Sequence, residues 1–220
     1  MDRIKDQLKF FENLGVNRFN IIPTHKLAPT DSLLTLDKIH NELGDCQRCK
    51  LSSHRKNIVF GVGDKNADLM FIGEAPGRDE DSQGVPFVGR AGQLLTRIIQ
   101  SIELNRDQVY IANILKCRPP QNRDPEADEI ETCEGFLHKQ IASIKPLIIV
   151  ALGRCAAQTL LRSNTTISNL RGKFFDFQGT LLLPTFHPSY LLRNPVAKRK
   201  VWEDMKTVRS RLKELKSRYY

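Results

Sequence analysis

Between residues 69 and 183, short apolar runs alternate with segments of helical period, and no other feature of the chain limits its fold as strongly. Runs at 69–72, 109–115, 147–152 and 181–183 read as buried strands, and helical spacing fills 91–102, 125–144 and 155–161 between them. Such alternation builds an α/β fold of three layers, α/β/α, in which a mostly parallel sheet is covered by helices on both faces. Ligands of such sheets bind outside the carboxyl ends of the strands. The turn at Gly73, the segment after Asn113 and the loop at His187 each follow a strand, so all three should gather at that edge.

Upstream, Thr30 and Asp31 suit the N-cap of a helix running through Leu33, Leu36 and Ile39 to Leu43 and Gly44. Residues 1–29 open with a helix-like stretch at 5–14 and loosen through Gly15, Pro23 and Pro29, which reads as a separate helical arm of no legible role. At 220 residues and 40% hydrophobic, the chain can bury one sizeable core, giving an N-terminal extension, 1–29, and one domain, 30–220.

The net charge is +9, and residues 191–220 hold ten Lys or Arg against three Asp or Glu, which points to a polyanion as partner. Val201, Met205, Val208, Leu212 and Leu215 recur there at helical spacing, so the stretch also reads as a solvated helix docked by its apolar side. Both readings can hold together. No segment approaches the roughly twenty apolar residues of a membrane span, and the N-terminus is too charged for the core of a signal peptide. A cytoplasmic monomer is expected, with no membrane partner.

In such a compartment five cysteines read as ligands or buried thiols rather than disulfides. Cys46 and Cys49 can hold two corners of a metal or cluster, and Cys117 and Cys133, with fifteen residues between them, would close the cage from elsewhere. The wide second spacing disfavours a zinc ribbon, but spacing does not name the metal, and Cys117 and Cys133 as plain core thiols remain the alternative. Cys155, near a helix start, reads as a small buried hydrophobe.

Four segments carry a family resemblance: 73–81 (GEAPGRDED), 85–95 (VPFVGRAGQLL), 113–120 (NILKCRPP) and 187–195 (HPSYLLRNP). Together and in this order they resemble the family-four, iron-sulfur uracil-DNA glycosylases over roughly residues 35–215. The resemblance implies a central four-stranded parallel sheet, a structural [4Fe-4S] cluster on the four cysteines, and excision of uracil from DNA as the first step of base excision repair. Under this resemblance the candidates around the uracil are Gly73, Ala75, Phe87 and Asn113, with Glu80 a weaker one for excluding a methyl group, and His187 stands at the chemistry, with Glu74 a candidate from the residues themselves. The resemblance puts Ser189, Leu191 and Arg193 against the DNA, with Leu191 as the wedge entering the vacated stack.

These roles make chemical sense residue by residue. A base must leave the stack to be excised, and Phe87 offers a ring to receive it; between Pro86 and Val88 it also reads as ordinary core. The amide of Asn113 presents a donor beside an acceptor, matching uracil O4 and N3–H, although an Asn at a strand end is otherwise a turn or cap residue. His187 can donate to uracil O2 as charge grows on the leaving base, while a lone His is otherwise structural. Apolar wedges kink DNA, but Leu191 also fits plain helix packing. Ala75 stands where family-one enzymes place a water-orienting Asp, which leaves Glu74 to orient water or stabilise a cationic sugar, or else to bind backbone N–H groups. Two rivals remain. One is a non-catalytic or covalently trapping uracil-DNA binding protein, whose relative carries an added basic loop that is not seen after Gly89 and Arg90. The other is a cluster carrier, which would explain the cysteines but not the base-reading motifs.

Overall fold

A computed structural model describes residues 34–219. The arm at 1–29 and the expected cap at Thr30 and Asp31 lie outside the described residues. The first described helix, α1 (Leu36–Leu43), starts where Thr35, in extended backbone, accepts the Lys38 N–H on its hydroxyl at 3.3 Å, and it stops at Gly44 with φ 50°. That cap moves the start beyond the expected one, while the end at Leu43 and Gly44 is as expected.

The sheet contains β1 (Val62–Gly63), β2 (Leu69–Gly73), β3 (Tyr110–Asn113), β4 (Ile148–Leu152), β5 (Phe175–Phe177) and β6 (Thr180–Thr185), in the order β1-β3-β2-β4-β6-β5. Its four central strands run parallel, as the alternation requires. The two edge strands are antiparallel additions that the apolar runs do not announce. β1 has only two residues, and β5 joins β6 through Gln178 and Gly179, both at positive φ (52° and 87°), which is the geometry of a two-residue hairpin turn.

Every residue of β2, β3 and β4 is buried, and their alternate side chains feed two cores. Met70, Ile72, Ala112, Ile149 and Ala151 face a core closed by α1, α4 (Ala127–Ile144) and α5 (Gly153–Leu161). Phe71, Ile111, Val150 and Leu183 face the opposite core, with α3 (Arg90–Ser101) and α8 (Lys198–Tyr219). On α8, Val201, Met205, Val208 and Leu212 are buried and Leu215 packs on them, so the docked-helix reading of this segment holds. Three shorter helices complete the domain: α2 (Arg78–Gln83), α6 (Ile167–Leu170) and α7 (Pro188–Arg193). No described helix is long and apolar enough to cross a membrane.

Candidate active site

The parallel strands end at Gly73, Asn113, Leu152 and Thr185, and their following segments line a cavity of about 470 Å³. Glu74, Ala75, Glu80, Phe87, Asn113, His187, Ser189 and Arg193, read from separate motifs, all border it.

Asn113 is the last residue of β3 and is 1% exposed, yet its Oδ1 has no hydrogen-bond partner among the described residues. An acceptor so placed costs about 1–3 kcal/mol unless a ligand supplies the donor. Gly73 makes the space: a Cβ there would stand 2.4 Å from Asn113 Oδ1 and 2.6 Å from the Phe87 ring. Phe87 sits at φ 54°, a left-handed conformation that costs a bulky residue energy and recurs at functional sites. Glu80 secures it. Its Oε1 accepts from Val88 N (2.9 Å) and Gly89 N (3.0 Å), and its Oε2 from Gly77 N (3.1 Å). Glu80, expected near the base, does border the cavity, and both its carboxylate oxygens accept from backbone N–H groups that hold the wall carrying Phe87.

His187 caps α7. The Ser189 N–H donates to its Nδ1 at 3.1 Å, and Ser189 Oγ lies 2.7 Å from the same nitrogen. Burial, with Arg193 adding to it, lowers the imidazole to about 4. The ring is therefore neutral near pH 7, and with Nδ1 accepting, its proton is on Nε2. The His187 and Phe87 rings stand 5.7 Å apart. Glu74 is partly buried in the turn after β2, and its carboxyl is held above the usual carboxylate range, first by burial and then by Asp124. Arg154 and the Cys155 thiol act the other way. Cys155 thus sits beside Glu74 instead of serving only as a small hydrophobe.

Leu191 does not stand free. It is 1% exposed, in the core formed by α3 and α8, so the wedge expectation is not met in this conformation; α7 turns Leu191 inward together with Pro188. Tyr190, 38% exposed, borders the cavity from α7 together with Ser189 and Arg193. Sequence reasoning also missed Arg123, Asp124 and Arg154, which line the cavity, Arg154 pairing with Asp124 at 2.5 Å. Arg154 closely follows β4, so the strand-end rule would have found it.

All five cysteines are free. Cys117 is buried, with Cys46, Cys49 and Cys133 at the margin of the same core. Three of the sulfurs already have donors: Arg48 Nη1 to Cys46 (3.1 Å), the Lys116 N–H to Cys133 (3.3 Å) and Arg55 Nη1 to Cys117 (3.7 Å). Burial pushes the Cys117 thiol up to about 12, with Arg55 pulling it down and neighbouring Cys133 and Cys49 adding to the rise. Neighbouring thiols with N–H and cationic partners suit a sulfur-ligated group. Among the described residues no three His, Cys, Asp or Glu side chains converge closely enough to hold a single metal ion.

The sequence model of the Uracil DNA glycosylase superfamily matches residues 60–206. The chain is 47% identical to the Type-4 uracil-DNA glycosylase of Saccharolobus solfataricus over 186 residues, covering 80% of this chain and 86% of that protein. It is 45% identical to the Type-4 enzyme of Sulfurisphaera tokodaii (80% and 84% covered) and 43% identical to that of Archaeoglobus fulgidus (79% and 92% covered). The resemblance carried by four short motifs thus extends along most of the domain, and the chain belongs to the type-4 uracil-DNA glycosylases of the uracil DNA glycosylase superfamily.

Proposed function

We propose that the protein excises uracil from DNA as a monofunctional glycosylase, and the observation that carries this reading is the unpartnered Oδ1 of Asn113 inside the cavity. A flipped uracil supplies the missing donor from N3–H, and the Asn113 amide N–H₂ donates to uracil O4. Cytosine presents an acceptor at N3 and is refused. Phe87 stacks on the base, and Gly73 leaves room for it.

The bond from C1′ to N1 breaks with its electron pair leaving on the base. The Nε2–H of neutral His187 donates to O2 of the departing uracilate, where negative charge develops. Glu74, ionised, faces the cationic sugar and orients the water that adds to C1′ and gives up its proton. An abasic site and free uracil result. Arg193, Arg154 and the basic start of α8 meet DNA phosphates.

Cys46, Cys49, Cys117 and Cys133 would hold the [4Fe-4S] cluster, which would supply a structural tie between the segment before β1, the β3–α4 connection and α4 itself. Sulfurs that receive hydrogen bonds from a backbone N–H and two guanidinium groups favour this anionic group. Purified protein should absorb broadly in the visible, and Cys→Ala at any of the four should lose iron and solubility together; stoichiometric zinc in a colourless protein would refute the cluster.

Asn113→Asp tests the activity. A carboxyl group accepts from cytosine N4 and, protonated by burial, donates to cytosine N3. The variant should lose most uracil release from a uracil-bearing oligonucleotide and gain slow cytosine release, faster at low pH and opposite a mismatch. Full uracil release would remove Asn113 from base reading.

A further inference from the structure

Lys116 is wholly buried, and its ammonium donates to two neutral oxygens, Asn113 O at 2.8 Å and Gln140 Oε1 at 2.7 Å. Gln140, itself buried, is fixed through Nε2 to Phe60 O (3.0 Å) and Tyr110 Oη (3.3 Å). A cation taken out of water onto neutral acceptors is a costly arrangement, and an apolar side chain of the same length would fill the space without that cost. What the ammonium adds is a grip on one peptide. The carbonyl of the 113–114 peptide is held by Lys116, and its N–H, on Ile114, donates to Gly73 O at 2.9 Å. One residue on, Leu115 N–H donates to Glu74 O at 3.0 Å. With both ends of that peptide plane fixed, ψ of Asn113 is fixed, and with it the point from which the side-chain amide projects into the cavity.

We propose that Lys116, braced by Gln140, is a positioning residue for base recognition: it locks the peptide after Asn113 and so aims an amide that it never meets through its own side chain. The proposal rests on Asn113 being the base reader. Neither the orphaned Oδ1 of Asn113 nor the close approach of Gly73 tolerates much drift, and misplacement of a recognition group by about 1 Å costs on the order of a hundredfold in rate.

A double-mutant cycle separates aiming from simple support of the fold. Lys116→Met should lower kcat/KM for uracil release by on the order of a hundredfold, with iron content and affinity for an oligonucleotide carrying an abasic analogue kept. In the Asn113→Ala background, where there is no amide left to aim, the same substitution should change the rate less than about twofold. An equal loss in both backgrounds would overturn the proposal and make Lys116 a general support. If Lys116→Met fails to fold, Gln140→Met goes through the same cycle with the same two outcomes. An Asn113→Ala single variant that releases uracil at the parental rate would instead sink the reading of Asn113, and this inference with it.

Discussion

Two sets of buried polar side chains stand near the carboxyl edge of the sheet, one reached through Thr185 and the other through His187 two residues later, and the fold treats them oppositely. At the first, Asp204 of α8 is 2% exposed and fully engaged: Thr185 Oγ1 donates at 2.6 Å, and Arg171 donates from Nε at 3.2 Å and from Nη2 at 2.5 Å. At the second, Asn113 Oδ1 has no partner among the described residues and Phe87 adopts a left-handed backbone, while burial raises the carboxyls of both corners, Glu74 here and Asp204 there. Buried polar groups are mostly satisfied, and among the described residues Glu134 Oε2, outside the cavity, is another buried oxygen without a partner. On the proposed reading a substrate, not the chain, completes the pocket, and variants on the two sides should therefore fail in different ways.

The largest effect should come from the unsatisfied side. Glu74→Gln or His187→Ala should lower single-turnover excision by on the order of a hundredfold or more with DNA affinity nearly intact, since each is proposed to act on charge that exists only in the transition state. Affinity falling in step with rate would assign both to binding and weaken the contrast. The pH dependence divides the two residues. His187 stays neutral down to about pH 4, so an acid limb in the excision rate above that belongs to Glu74 losing its charge, and Glu74→Gln should abolish it. Stability carries the His187 signature instead. Between pH 6.5 and about 4 the unfolded chain takes up a proton that the folded imidazole refuses, so stability should fall as pH drops through that window, and His187→Gln should flatten the fall in thermal melts taken across it.

The satisfied corner should show the reverse pattern. Asp204→Ala leaves the Arg171 guanidinium and the Thr185 hydroxyl without their partner; because Arg171 keeps 19% of its side-chain surface in water, the loss should be about 2 kcal/mol, below that of a fully buried pair. Denaturant melts should register it, and uracil release per folded molecule should stay within about twofold of the parent if the two corners are independent. A loss of rate as large as that of His187→Ala would mean that β6 transmits strain from one corner to the other, and the distinction drawn between them would collapse.

How far these regions are legible in the sequence follows from the range of the forces that build them. The central strands and the long helices are written in periodicity, and the rule that sites form at strand ends is enough to bring the turn after Gly73, Asn113 and His187 to one cavity. The edge strands are not legible, because two or three residues carry no period and the hairpin turn has Gln178 where Gly or Asn would have signalled it. The bracing role of Glu80 is not legible from sequence because its partners are backbone N–H groups, which no residue type announces. Leu191 does offer a signal: Pro188 and Leu191, three apart, are the two buried positions of α7. Lys116 offers another, as a lone cation between Leu115 and Cys117 at the end of an apolar run.

The smallest effect should come from a surface that neither corner controls. Lys198, Arg199 and Lys200 open α8 on its exposed side, while Val201 and Met205 dock the helix on the body, so these charges are free to meet phosphate without any cost to the core. Neutralising these three together with Arg193 should weaken binding uniformly across sequences and flatten the salt dependence, by roughly 0.9 in log–log slope for each duplex phosphate no longer neutralised. Thermal stability should barely move, since the substituted side chains are solvated. The ratio of uracil to cytosine excision should not move either, because groups that grip phosphate position the duplex and do not read it. If the salt slope is unchanged, this face is only solvated and DNA is held by the pocket rim alone, through Arg154 and the residues around it. If instead the uracil-to-cytosine ratio changes, the flipped base is being aimed in part by the backbone grip, and selectivity would no longer be confined to the corner where Asn113 is left without a partner.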